Sequence, residues 1–188
     1  MEFSVAQGDI TDQSADALVN AAGTSLRMGS GVAGALRRAG GSKLDEAARE
    51  RGPVDLGAVA VTDAYGLDAD VVVHAAAMPR YGDGRATAES IRDATRNALQ
   101  AADDRGCKSL VVPALGCGVA GFDLAEGARI VADEIRAFDP ESLDDVTFIA
   151  YGDDEYRVVR DAVDASRENG AVADAGGEKA PGRDGEAG

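Results

Sequence analysis

The sequence predicts an α/β fold: short β-branched runs alternate with segments of helical period, the pattern of strands crossed by helices. Near-continuous apolar runs, Val71-Val72-Val73 and Leu110-Val111-Val112, predict strands buried on both faces, as central parallel strands are. Two glycine loops, Gly29-Ser-Gly31-Val-Ala-Gly34 and Gly116-Cys-Gly118-Val-Ala-Gly121, each lie between an expected strand and an expected helix.

Strands are expected over 3–7, 17–20, 58–63, 71–75, 109–114 and 146–151. The most secure helix spans 123–138, where Leu124, Ala128, Val131, Ile135 and Phe138 recur at helical spacing. Asp123 and Glu126 give it a capping-box-like start, and Asp139-Pro140 ends it. A second helix over 87–104 buries Ile91, Ala94, Ala98, Leu99 and Ala102 and stops at Gly106. Shorter helices are expected over 32–39 and 158–165. Residues 1–166 form one domain. Residues 167–188, whose only large aliphatic is Val172, are expected to be a disordered acidic, glycine-rich tail, since so polar a segment cannot bury enough surface to offset its ordering entropy.

A chain of 188 residues fits a single domain with a sizeable core. With 34 Asp plus Glu against 19 Lys plus Arg the formal charge is -15, so neither nucleic acid nor an anionic membrane is expected as a partner. No apolar stretch approaches the ~20 residues that span a bilayer, and the start, Met1-Glu2-Phe3-Ser4, lacks a signal-like pattern; a cytoplasmic location is expected. Cys107 and Cys117 are too few for a disulfide framework and lack a zinc-ligand set, so no metal and no cofactor is expected. Lysine is confined to Lys43, Lys108 and Lys179, and aromatics make 4% of the chain; with the acid excess this points to a halophilic setting, where concentrated salt screens self-repulsion.

The glycine loops carry the chemistry. Glycine lets backbone N–H groups approach an anion closely, and the helix that follows adds favourable partial charge, so the pair implies a ligand with two adjacent phosphates. A dinucleotide-binding Rossmann site requires its first glycine directly after a strand and an acid near the end of the next. Gly29 stands well beyond the strand ending at Asn20, and Glu141 falls in a loop, so neither loop complies. A P-loop is excluded because no Gly-Lys-Ser or Gly-Lys-Thr occurs.

Other candidates carry two readings each. Asp9, just after the first strand, is either a turn or helix-cap residue or an edge carboxylate accepting from an amino group such as adenine N6. Tyr151, ending the last strand, is either core or a platform for a base. His74, the one histidine, reads as a satisfied core residue. Cys117 lies ahead of a helix, a setting expected to lower a thiol pKa, yet with no base in view it reads as a small loop residue.

Taken in order, Gly8-Asp9-Ile10-Thr11, Asp16-Ala-Leu-Val-Asn20-Ala-Ala, Gly29-Ser-Gly31-Val-Ala-Gly34-Ala-Leu, Val72-Val-His74 and Val112-Pro113-Ala-Leu-Gly-Cys-Gly118-Val-Ala-Gly121 resemble the macro domain family over about residues 3 to 165. The resemblance implies a three-layer α/β/α fold around a six-stranded, mixed, mostly parallel sheet, with a cleft for ADP-ribose. It implies that Asp9 accepts from the adenine amino group, that the Ile10 amide approaches the ring and that Tyr151 stacks on it. Gly29, Ser30, Gly31 and Val32, with Gly116, Cys117, Gly118, Val119 and Ala120, would wrap the diphosphate and distal ribose through backbone amides. Asn20 matches a family asparagine and would hold the loop.

Members that hydrolyse ADP-ribose esters resemble Asn-Ala-Ala-Asn followed by Gly-Gly-Gly-Val-Asp-Gly; here the second Asn is Gly23 and the Asp is Ala33. Ala120 stands where an aromatic often covers the distal ribose. Three functions are therefore expected to compete. They are a binding module for ADP-ribose or a derivative, a hydrolase of ADP-ribosyl esters, O-acetyl-ADP-ribose or ADP-ribose 1''-phosphate using non-standard residues, and a degenerate macro-fold interaction module.

Overall fold

The computed structural model describes residues 1–80 and 83–175, with side chains through Arg167. Six strands form one sheet: β1 (Glu2–Gln7), β2 (Ala15–Gly23), β3 (Val59–Asp63), β4 (Ala69–Met78), β5 (Ser109–Val112) and β6 (Asp145–Ala150). Five α-helices accompany them: α1 (Gly31–Gly40), α2 (Ser42–Arg51), α3 (Ala88–Asp103), α4 (Leu124–Ala137) and α5 (Asp153–Ala175). The sheet order is β1-β6-β5-β2-β4-β3. Neighbours run parallel except β3, which lies antiparallel against β4 at the edge.

The apolar runs that predicted two-sided burial are divided residue by residue between two cores. Val73, Leu110, Val112 and Phe148 face α3, α4 and α5, whereas Leu18, Val72, Val111 and Ile149 face α1 and α2. Side chains of a strand alternate faces with period two, so an unbroken apolar run feeds both layers at once. This gives the three-layer α/β/α arrangement and the mixed, mostly parallel six-stranded sheet that the resemblance implied. Among the described residues no helix is long and apolar enough to cross a membrane.

Boundaries moved where neighbours extended a strand. Pairing along β4 carries β2 out to Gly23, past the expected end at Asn20, while β5 stops at Val112 because Pro113 has no N–H to donate. Helix α2 went unforeseen: only Leu44, Ala47 and Ala48 are buried on it, a stripe hidden by charged residues. Helix α5 runs from Asp153 to Ala175, longer at both ends than expected and into the segment read as tail. The alanines at 171, 173 and 175 favour helix continuation, which the tail reading underweighted. Residues 176–188 lie outside the described residues.

Candidate functional site

Every parallel strand delivers its carboxyl end to the same edge of the sheet, and there a cleft of about 1070 Å³ opens. Ligand crevices of open α/β sheets lie at this edge. Asp9 and Ile10 reach it after β1, Ala22 and Gly23 end β2, and the second glycine loop enters after β5. The first glycine loop, at the start of α1, forms the facing wall.

Local sequence explains how each wall is built. Asp9 caps the short 3-10 turn Ile10–Asp12: its Oδ1 accepts from the Thr11 N–H at 2.9 Å and from Thr11 Oγ1 at 2.7 Å. The cap role and the cleft position coexist, because both bonds fall on one carboxylate oxygen and Asp9 still lines the cleft. Helices α3 and α4 satisfy their own N-termini, through the reciprocal Thr87/Ser90 capping box and through Asp123 Oδ1, which accepts from the Glu126 N–H at 2.8 Å. Ser30 makes no such side-chain cap at α1. The first N–H groups of α1 are thus left to an external acceptor, and Ser30, Gly31, Val32 and Ala33 all line the cleft.

The glycines divide by what surrounds them. Gly116 has φ 73°, and a Cβ there would stand 2.8 Å from Ala86 Cβ and 2.9 Å from Ile91 Cγ1. Gly31 is also left-handed at φ 58°, but, like Gly29 and Gly118, has open space where a Cβ would be. The second loop is therefore wedged against the α3 side by Gly116, while the other three leave room on the cleft side. Gly23 sits at an irregularity in the β2–β4 register, where a Cβ would be 3.1 Å from the Pro79 carbonyl oxygen.

Of the residues that the resemblance assigned to the ligand, all but one line this cleft. Asn20 is the exception. The alternation of β2 points it to the same face as Leu18, where it is fully buried and its Nδ2 donates to His74 Nδ1 at 3.0 Å. The structure thus places Asn20 in the interior beside His74 and outside the lining of the cleft. Tyr151 departs from the core reading in the other direction, being 71% exposed at the cleft mouth.

Cys117 is corrected as well. Burial, then the negative charges of Asp123 and Glu155, push its thiol up to about 12, not down. Its S–H donates to the Leu115 carbonyl at 3.2 Å, and its Sγ occupies the space a Cβ on Gly127 would need. The thiol packs the loop and is not a thiolate at neutral pH.

His74 lies in the interior between Asn20 and Thr62, with Nε2 at 3.0 Å from Thr62 Oγ1. Burial first, and then the charge of Arg51, lower its pKa from 6.5 to about 4. Because the unfolded chain takes up this proton at higher pH than the folded chain, stability is lost as pH falls from about 6.5 toward 4. The expected loss from this one group is about 2 kcal/mol by about pH 5. Urea titrations of wild type and His74→Gln at about pH 7.5 and about pH 5 check it; a wild-type advantage that does not shrink toward the lower pH would contradict the assignment.

Three cleft arginines were missed in the sequence: Arg27, Arg38 and Arg80. Among the described residues none of them forms an ion pair, whereas Arg49, Arg92, Arg96, Arg157, Arg160 and Arg167 each do. Arg38 Nη1 would be 3.4 Å from a Cβ on Gly34, so that glycine lets the guanidinium lie close to the first loop. Two arginines flanking the motif Leu26-Arg27-Met28-Gly29 to Arg38 were the available signal, obscured by the acidic total. Among the described residues no group of three or more His, Cys, Asp or Glu side chains is placed to hold a metal ion.

Comparison with known proteins agrees with this geometry. Residues 19–131 match the family model of the Macro domain. An uncharacterized protein of Sulfolobus acidocaldarius is 39% identical over 171 residues, covering 88% of this chain and 92% of its own length. An uncharacterized protein of Mycobacterium tuberculosis is also 39% identical over 168 residues, but the chain spans only 46% of that relative's length. Among solved structures, a Trypanosoma brucei macrodomain in complex with ADP-ribose superposes with a TM-score of 0.77 at 29% identity, over 86% of this chain and 68% of that one. A cleft at the carboxyl edge of a six-stranded sheet, walled by two glycine loops and matched by that family model, identifies the chain as a member of the Macro domain family.

Proposed function

We propose that the chain binds ADP-ribose or an ADP-ribose derivative in this cleft. The observation that carries the reading is the convergence of two glycine loops on one cleft, with Asp9 and the exposed Tyr151 at one end of it. Adenine lies between Tyr151, which stacks on it, and Asp9, whose carboxylate accepts from the amino group while the Ile10 amide meets the ring. The uncapped start of α1, at Ser30 to Val32, and the amides of Gly116 to Ala120 hold the diphosphate from two sides.

Recognition without turnover is the function that the residues support best. Near the distal ribose stand Gly23, Ala33 and Ala120, none of which has a side chain able to orient or deprotonate water. His74 is fully buried and does not line the cleft, and Cys117 is a neutral thiol, so neither supplies a base or a nucleophile. The domain carrying this activity is residues 1–166, with α5 continuing beyond it.

The test is a calorimetric titration in concentrated KCl with ADP-ribose, AMP, ADP and NAD. ADP-ribose is expected to bind with saturation and in preference to the other three, and Asp9→Ala to weaken it by about tenfold, the loss of one charge-assisted hydrogen bond. O-acetyl-ADP-ribose and an ester-linked ADP-ribosyl peptide are expected to remain intact beyond the blank rate. Folded protein that gives no heat with ADP-ribose would sink the reading in favour of a degenerate module, and multiple turnovers of either ester would replace it with the hydrolase.

A further inference from the structure

The first glycine loop has no packing of its own. Gly29, Ser30 and Gly31 are exposed, and nothing lies within 4 Å of where a Cβ on Gly29 or Gly31 would be. Ser30 adds no side-chain cap. Such a segment has many backbone conformations open to it, so the direction of its N–H groups is set by what holds its two ends.

The following end is held by α1 itself. The Gly34 N–H donates to the Ser30 carbonyl at 3.0 Å, and a Cβ on Gly34 would stand 3.1 Å from the Gly29 carbonyl oxygen. The preceding end is held by α2. Met28 is 1% exposed, and its N–H donates to Asp45 Oδ1 at 3.0 Å. The other carboxylate oxygen, Oδ2, pairs with Arg49 Nε at 3.2 Å, one turn further along α2, so each oxygen has its own partner and the carboxylate is fixed in rotation. Behind Met28 the chain is equally confined. Leu26 is fully buried in a left-handed conformation, φ 55°, a geometry uncommon for a non-glycine residue. Gly52, just past the end of α2, lies so close that a Cβ there would be 2.9 Å from the Ser25 carbonyl oxygen.

Asp45 is not among the residues that line the cleft. Its charge would oppose an anion at the loop, so what it contributes is an acceptor. Building on the ADP-ribose reading, we infer that Asp45 is the positioning residue of the first glycine loop. By fixing Met28 it keeps the N–H groups that follow aimed at the diphosphate, and the loop loses little freedom on binding. Helix α2, which touches no ligand, acts in this way as the buttress of the cleft wall.

Two variants of the full chain isolate the acceptor from the charge. Asp45→Ala removes both, whereas Asp45→Asn removes the charge and the Arg49 pair but keeps an oxygen for the Met28 N–H. In calorimetry ADP-ribose is expected to bind at least about tenfold more weakly to Asp45→Ala and within about threefold of wild type to Asp45→Asn. AMP, whose contacts are those of the adenine end, is expected to bind all three proteins alike. In the ligand-free proteins, NMR relaxation is expected to show amide order parameters at Gly29 and Gly31 falling below about 0.6 in Asp45→Ala alone. Thermal melting verifies that the variants fold; should Asp45→Ala fail to, Arg49→Ala, which releases the carboxylate from its orientation, takes its place with the same order-parameter readout. Undiminished ADP-ribose affinity in Asp45→Ala, an Asp45→Asn protein as weak as Asp45→Ala, or AMP weakened in proportion overturns the positioning role while leaving ADP-ribose binding intact. If folded wild type binds no ADP-ribose, the ADP-ribose reading falls and the order parameters decide the role of Asp45 by themselves: a drop in the variant upholds it, and unchanged values overturn it.

Discussion

Gly116→Ala is expected to destabilise the protein by about 3 kcal/mol and to abolish most ligand binding. Two costs combine. A residue with a Cβ at φ 73° costs about 1 to 2 kcal/mol, and forcing that Cβ to within 2.8 Å of Ala86 and 2.9 Å of Ile91 adds an overpacking cost of about 1 to 3 kcal/mol. Ile91 is fully buried at the start of α3 and Ala86 is nearly so, so neither yields without moving the helix. The loop from Gly116 to Ala120 must shift instead, and its amides lose their aim. Gly118→Ala is the contrasting variant: nothing lies within 4 Å of its Cβ position, so stability stays within about 0.5 kcal/mol while the methyl group intrudes on the cleft side. Chemical denaturation and ADP-ribose titration of the two variants check the pair. Equal stability of Gly116→Ala and wild type would show that the loop is not wedged as described.

Asp103→Ala is expected to cost about 4 kcal/mol without touching the cleft. Asp103, 5% exposed at the end of α3, gathers three backbone N–H groups: Ser142 at 2.7 Å and Leu143 at 2.8 Å on Oδ1, and Glu141 at 3.0 Å on Oδ2. Burial alone would raise its carboxyl pKa, but these three bonds and the charge of Lys108 reverse the shift and lower it. Removing the carboxylate leaves donors in the segment that feeds β6 without partners. Asp103→Asn retains an acceptor for Ser142 and Leu143 and presents an amide N–H₂ to Glu141, so about half the loss is expected. Because the folded pKa lies below the ordinary value of 3.8, the stabilisation is present above about pH 4 and disappears as the pH falls through the folded pKa. Urea midpoints of both variants at neutral pH test the ranking; an Asp103→Ala protein as stable as wild type would contradict it.

Much of the fold was legible because its determinants are local. Val71-Val72-Val73 and Leu110-Val111-Val112 declared central strands, and Asp123 with its apolar stripe declared α4. The glycine loops were legible for the same reason: Gly31, Gly116 and Gly121 all have positive φ, a demand on the backbone that the residue type itself records. Helix α2 was not, since a stripe of three small or medium residues carries too little periodic signal against seven polar neighbours. Asp103 carried no signal, and that of Arg27 was obscured by the acidic total. One depends on a loop 38 residues away, the other on a buried turn that aims it.

What the sequence by itself determined is the alternation of elements, the identity of the core and the presence of two glycine loops, because periodicity and backbone preference act over a few residues. Only the tertiary structure decided that Asn20 turns inward to His74, that Cys117 is a neutral thiol, that Tyr151 is exposed and that arginines gather opposite acids across one cleft. These properties arise when the strand order β1-β6-β5-β2-β4 brings the ends of distant segments to a common edge. Burial and charge at any one residue there are then set by neighbours that its own stretch of chain does not specify.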